Sequence, residues 1–363
     1  MLGRTLSVDI VENCTVEYFR SFHQSINVTW QYGLCNYAWL INWLKVSSVQ
    51  PHLAILYDTN TAIGYCFFSL KRNRILALSW NSAYLNQTGC SDVDQIWVEN
   101  NGLFCASEHQ EVFFYLIKNT LLDKYAVDEF IISLASQALD KYNENHYFSM
   151  ESKELHLSYT KDLCNINSIE DVLKRLSKNS RAQLRRALRQ TISKYGAIKV
   201  VTHNQLDKTL TDFQAMAELH KKKWGDSEHG SGFNNTKFVS FHKAMLDTPN
   251  KAILLKIEAE NKTLGHAYFI TEDKTAYFYC SGIDNDVGLE KFKVGYILHL
   301  YCMLYFAQNG YAIYDFLAGD YRYKKSLSDN TYEMYSYRFV KSGGFFQKLL
   351  KIKNLLKSFV AKP

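Results

Sequence analysis

Apolar and polar residues alternate in TLSVDIV (5–11), which is the period of a strand with one buried face. Val16–Phe22 and Tyr37–Val46 carry apolar and aromatic residues at helical spacing. Strands are expected at HLAILY (52–57), AIGYCFFSL (62–70), RILALSW (74–80) and QIWVE (95–99), with a hairpin turn at DTNT. A helix from about Glu108 to Tyr125 and a strand at EFIISL (129–134) complete the first half. The second half runs in the same order. IKVVTH (198–203) reads as a strand, and Leu206–Trp224 and Lys237–Leu246 read as helices. AILLKIE (252–258), TLGHAYFIT (263–271) and TAYFYCSG (275–282) read as three successive strands. A helix over Val294–Gln308 is stopped by Asn309-Gly310, and strands follow at AIYDFL (312–317) and YEMYSYRFV (332–340). Each half therefore reads as a strand, two helices, a run of strands, a helix and a strand, a duplicated mixed α/β unit repeated in architecture rather than in letters.

The chain has 363 residues, enough for two domains at about 150 residues each. At 47% hydrophobic and 21% charged residues it is globular in composition. Its charge is split. Residues 1–165 hold 11 basic and 17 acidic side chains, net −6, and residues 166–363 hold 31 and 19, net +12. The second half is thus expected to meet an anion such as a phosphate-bearing cofactor, a nucleic acid or an acidic membrane. The domains expected are 1–165, on the acceptor side, 166–341, with the cofactor site, and a C-terminal helix in 342–363. No apolar run approaches the roughly 20 residues of a membrane span. The first residues, with Asp9 and Glu12, do not read as a signal peptide, so a cytoplasmic protein is expected. The eight cysteines form no CxxC pair and are expected as reduced thiols.

Two basic elements stand out. Val172–Ile192 reads as an amphipathic helix with Lys178, Arg181, Arg185 and Arg189 on one face and Leu173, Leu176, Leu184 and Leu188 on another. From Lys174 to Arg189 there are seven basic and no acidic residues, fitting either a solvated docking helix or a phosphate-contacting edge. Residues 345–360, FFQKLLKIKNLLKSFV, place Phe345, Leu349, Ile352, Leu356 and Phe359 on one helical face. That face suits docking on the protein or lying on an anionic membrane, which would make the protein peripheral on the inner membrane face. Phosphate-loop, dinucleotide and HExxH motifs do not occur. Asp284-Asn-Asp286 begins like a calcium loop, but Leu289 and Gly295 occupy its sixth and twelfth positions, and no metal is expected.

LSKNSRAQLRRALRQ (176–190), ELHKKKW (218–224), AYFYCSGIDND (276–286) and KVGYILHLYCMLYFAQNGYAIYDFLAGDYRYKK (293–325) together resemble one family. It is the GNAT-fold acyltransferases of cellulose and exopolysaccharide biosynthesis, related to the Fem-type aminoacyl transferases of peptidoglycan synthesis. NQTGCSDVDQIWVENN (86–101) resembles the family's corresponding segment in the first half. The resemblance implies an α/β fold of two tandem GNAT-like domains and an acyl group, such as acetyl, drawn from acyl-CoA. The acceptor it implies is an amine or hydroxyl of a nucleotide sugar, polysaccharide or envelope precursor, held between the domains. This chain has Lys293-Val294-Gly295 where the family usually has Ser-Pro-Gly.

Acyl transfer needs a polarised carbonyl, a seat for pantetheine and pyrophosphate, and proton transfer at both ends. The resemblance places the thioester where TAYFYCSG and AIYDFL part, with Lys293, Val294, Gly295, Tyr296, Cys280 and Ser281 binding the cofactor, and Lys291 beside them. Asp320 is then a proton acceptor, Lys324 an oxyanion partner and Tyr323, or Tyr321, a proton donor. Asp92, Asp94, His220, Trp224 and Asp315 are acceptor-side candidates. Two alternatives stay open: an aminoacyl-tRNA donor contacted by the basic helix, and a catalytically inactive binding scaffold of the same fold.

Overall fold

The computed structural model describes residues 6–26, 33–142, 147–225, 230–260, 262–284 and 293–360, the last eight of these as backbone only. Two compact units emerge: one of residues 1–156 with 334–363, the other of residues 157–333. The chain passes between units within strand β7 (Phe148–Asp162) and returns within β13 (Asn330–Lys341), not at 165/166 and 341/342. Charged residues hide β7 from a hydrophobic reading, since its middle is exposed on both faces.

Unit 1 contains β1 (Leu6–Val11), α1 (Val16–Ser25), α2 (Tyr37–Val46), β2 (His52–Asp58), β3 (Thr61–Ile75) and β4 (Leu78–Leu85). The short α3 (Ser91–Asp94) and β5 (Phe104–Cys105), then α4 (Gln110–Asp123) and β6 (Glu129–Ala135), follow. Strand order is β1-β2-β3-β4-β6-β13, with β4 and β6 parallel. The strand expected at 74–80 instead straddles a hairpin whose tip residue, Leu76, has φ 54°. QIWVE is not a strand; Ile96, Val98 and Glu99 are buried in irregular chain after α3. The core lies between the sheet and α4, around Phe68, Phe113, Phe114, Phe130, Tyr337 and Phe339.

Helix α11 (Phe345–Val360) docks on unit 1 through Phe346 and Leu350, which are buried with Val340 against Trp80. The Phe346 and Trp80 rings stack at 4.9 Å. The expected face is therefore displaced by one residue, and Phe345 and Ile352 are exposed. Deleting residues 345–363 should lower the melting temperature, because burial of each such side chain contributes about 1.5–3 kcal/mol. Unchanged melting, with binding to acidic vesicles lost on deletion, would show instead that the helix serves a membrane.

Unit 2 contains α5 (Ile169–Lys174), α6 (Lys178–Tyr195), β8 (Ile198–Val201), α7 (Leu206–Trp224) and α8 (Thr236–Asp247). Then come β9 (Ala252–Ala259), β10 (Lys262–Glu272), β11 (Thr275–Ile283), α9 (Val294–Gln308), β12 (Ile313–Ala318) and α10 (Arg322–Leu327). Strand order is β7-β12-β11-β10-β9-β8, and only β11 and β12 run parallel among these pairs. The basic helix breaks in two because Ser168 and Ser177 cap separate starts, accepting the N–H of Asp171 and of Ser180 at 3.2 Å. Arg181 closes the break by donating to the carbonyls of Lys174 and Leu176 at 3.1 Å. Gly310, at φ 81°, ends α9 as the Asn-Gly pair predicts. Among the described residues no helix is long and apolar enough to cross a membrane.

Candidate active site

β11 and β12 pair only at Thr275–Tyr277 with Ile313–Asp315. Beyond that, β11 runs on to Ile283 and β12 to Ala318 without pairing each other, so the sheet opens into a notch. Bulges on both strands sit at the opening. In β11, Tyr268 pairs Cys280 while Phe269 pairs Phe278, which leaves Tyr279 as the extra residue and disturbs the ladder there. In β12, Asp315 pairs Thr160 while Ala318 pairs Ser158, with Leu317 at φ 62°. A leucine in the left-handed region costs on the order of 1–3 kcal/mol and persists only where its surroundings hold it. Asp315 holds it by accepting the Leu317 N–H at 2.7 Å, and the Lys324 ammonium does so by donating to the Leu317 carbonyl at 3.1 Å. β6 of unit 1 carries the matching feature, with Leu134 at φ 48° donating its N–H to Ser336 Oγ at 3.1 Å. Leu134-Ala135 and Leu317-Ala318 are thus a repeat in letters as well as in architecture.

Asp315, Lys324 and Tyr323 come together around this opening. Asp315 is 3% exposed, and burial pushes its carboxyl up to about 6 against the Leu317 N–H, the Tyr332 hydroxyl and the Lys324 charge. Tyr332 donates to Asp315 Oδ2 at 2.9 Å. Sequence reasoning passed over Tyr332, which only the return of β13 brings there. The Tyr323 ring stacks on His299 at 5.1 Å, and burial with the neighbouring Tyr321 and Tyr296 hydroxyls raises its pKa. His299 is pushed down to about 3 by burial and so is neutral, with Nδ1 2.6 Å from the Tyr314 hydroxyl.

Asp320 is exposed and ion-paired with Lys325, which holds its carboxyl below the usual range, and it accepts the Tyr159 hydroxyl at 3.4 Å. Cys280 and Ser281 lie on the part of β11 that faces the notch. The cap residue of α9 is Lys293, whose φ is 52°, and no side chain caps the first N–H groups of the helix. Lys293 donates to Gln183 of α6 at 2.5 Å, and Gly295 has Ile283 Cδ1 at 3.1 Å from where a Cβ would be. Val294 is buried in the core and Tyr296 packs against it. Lys291 and most of the Asp284–Gly295 stretch lie outside the described residues.

His220 and Trp224 remain together on α7. His220 Nδ1 lies 2.9 Å from Ser231 Oγ, and burial followed by Lys223 pushes the ring down to about 4. In unit 1, Asp94 closes its own loop. It accepts Thr88 N–H and Oγ1–H at 2.8 and 2.9 Å and Gly89 N–H at 2.7 Å, while Asp92 is exposed on α3. His266, at 2% exposure, has no hydrogen bond at either ring nitrogen among the described residues, the Asp212 carboxylate being 3.8 Å away. No group of three metal-ligating side chains occurs among the described residues.

Residues 178–325 match the family described as acetyltransferase (GNAT) domain. The matched stretch lies within unit 2 and spans less than half of the chain. Acyl transfer is the reaction class that this match supports. Solved structures of the same fold include FemX, at a TM-score of 0.57 and 10% identity, over 91% of this chain and 96% of FemX. A protein of unknown function from Bacteroides thetaiotaomicron has a TM-score of 0.55 and 12% identity, over 91% and 99% of the two chains. The C-terminal domain of a putative lysylphosphatidylglycerol synthetase from Agrobacterium fabrum has 0.51 and 10%, over 86% and 88%. At such identities the likeness is one of fold. No curated protein matches the chain by sequence.

Proposed function

We propose that unit 2 moves an acyl group, such as acetyl, from acyl-CoA to an amine or hydroxyl of a sugar-bearing or envelope precursor. The observation that carries this reading is the notch itself, a parallel pair that parts at two bulges beside a buried carboxyl. An acyl thioester supplies an electrophilic carbonyl. The backbone N–H freed at the Tyr279 bulge would polarise its oxygen. Asp315, directly or through the Tyr332 hydroxyl, would take the proton from the attacking amine or hydroxyl as the new C–N or C–O bond forms. Tyr323 would give its proton to the thiolate as the C–S bond breaks, and would regain one from solvent or Asp315. The N-terminus of α9 and Lys293 suit the diphosphate. Lys324, already donating to two carbonyls of the bulge, acts by shaping β12.

A thermal-shift titration tests the donor. Acetyl-CoA or a longer acyl-CoA should raise the melting temperature, since a ligand at 100 times its Kd stabilises the native state by about 2.7 kcal/mol. No shift at millimolar acyl-CoA would overturn the reading. The second reading, an aminoacyl-tRNA donor, is favoured by one observation: Lys178, Arg186 and Arg189 of α6 are exposed and make no ion pair among the described residues. Binding of tRNA that weakens steeply with salt would support it.

A further inference from the structure

The face of unit 1's sheet opposite α4 carries a cavity of about 380 Å³, lined by Trp80, Tyr84, Glu129, Ser133, Ser152 and Arg338 among others. Its size lies in the usual range of small-ligand pockets, roughly 300–1,000 Å³. Its floor is a built polar network. Glu129, 2% exposed, accepts Trp80 Nε1 at 2.8 Å and Ser82 Oγ at 2.5 Å on one oxygen, and Arg338 Nε at 2.7 Å on the other. Asn73 Nδ2 donates to Ser82 Oγ at 2.6 Å, extending the network to β3. With four donors fixing the Glu129 carboxylate, the floor is rigid and its polar atoms are held at defined positions.

We infer that this cavity binds a glycosyl group, a neutral ring rich in hydroxyls. Three features select that chemistry. The first is charge. Arg338 is neutralised by Glu129, and Glu154 at the rim adds a second carboxylate, so a phosphate or carboxylate ligand meets no surplus of positive charge. The second is the mixture of flat aromatic side chains, Trp80 and Tyr84, with small hydroxyls, Ser133, Ser152 and Ser336. An aromatic face attracts the polarised C–H face of a sugar, while hydroxyls and carboxylate accept and donate at its rim. The third is partial exposure. Trp80 and Tyr84 are half-buried, and one face of Trp80 is already covered by Phe346, so a single ring stacks there rather than intercalating. The binding stands on the cavity alone; that the bound sugar belongs to the acyl acceptor rests on the transferase reading above.

The test uses the full chain and saturation-transfer NMR with N-acetylglucosamine, methyl β-glucoside and cellobiose as probes, and uridine and inorganic phosphate as controls. At least one sugar should show saturable transfer that the controls do not displace. Ser152→Trp places a large ring over the mouth from an exposed strand position, and should weaken sugar binding at least about tenfold without changing the melting temperature. A second variant, Ser133→Val, removes a hydroxyl from the lining and should weaken the same sugar. No transfer from any sugar, uridine or phosphate displacing it, or equal binding by the wild type and Ser152→Trp would overturn the inference. Acyl-CoA binding is read in parallel on both proteins. Its absence with sugar binding intact would sink the transferase reading and support the cavity.

Discussion

Asp315→Asn should lower turnover by about 10²–10⁴-fold, the span of a lost general base, while making the protein more stable at neutral pH. The two effects have one cause. Burial lifts the Asp315 carboxyl to about 6, so at pH 7 the folded protein holds an anion that its surroundings disfavour. The unfolded chain ionises near the ordinary value of about 3.9. Between those values the native state binds the extra proton, so the group's contribution to stability is complete below about 4 and is lost as the pH rises through about 6. That loss is on the order of 2–3 kcal/mol, and the amide, which does not titrate, removes it. The turnover of the parent should rise with pH on a limb near 6, and that limb should be missing from the variant. Stopped or coupled assays of thiol release across pH 5–8, beside urea melts at pH 5 and 7, check both halves. A variant within threefold of the parent rate would move the base elsewhere, His266 first, since its neutral ring lies buried beside Asp212.

Much of the architecture was legible because apolar periodicity is strong where one face of an element is buried. α2, α7 and α9 have the ends read from the sequence. Local chemistry marks some of these ends, as where Asn36 caps α2 and Asn309-Gly310 stops α9. β7 was not legible, because its middle, Ser152–Leu155, is exposed on a strand held by its neighbours rather than by its own apolar face. The site was legible as a neighbourhood and not as roles. The DFLAGDYRYKK stretch names Asp315, Asp320, Tyr323 and Lys324 alike. Only burial separates Asp315, enclosed under the bulge, from Asp320, which is exposed and paired with Lys325. The paired Leu-Ala at 134–135 and 317–318 was the signal in the letters that could have located both bulges, since each leucine adopts the left-handed backbone. Tyr332 and Arg338 act across long sequence separations, 17 residues to Asp315 and 209 to Glu129, and no local pattern carries such contacts.

Arg338→Met should destabilise unit 1 by about 3–5 kcal/mol, the usual cost of leaving a buried charge without its partner. Glu129 is 2% exposed and Arg338 supplies two of its four donors, so the variant strands a carboxylate that water barely reaches. Trp80 and Ser82 remain as donors, but neither carries a charge. The guanidinium also lies 5.6 Å from the Phe346 ring, so part of the loss falls on the docking of α11. The double variant Glu129→Gln with Arg338→Met removes both charges and should recover most of the stability, because replacing both partners of a buried pair is far less costly than removing one. The difference between the double variant and the sum of the two single ones measures the pair itself. Denaturant melts followed by tryptophan fluorescence, with Trp80 inside the network, read the loss where it occurs. A single variant within about 1 kcal/mol of the parent would mean that solvent screens the pair. The floor of the unit 1 cavity would then be softer than its four donors imply, and the hold on a bound sugar correspondingly looser.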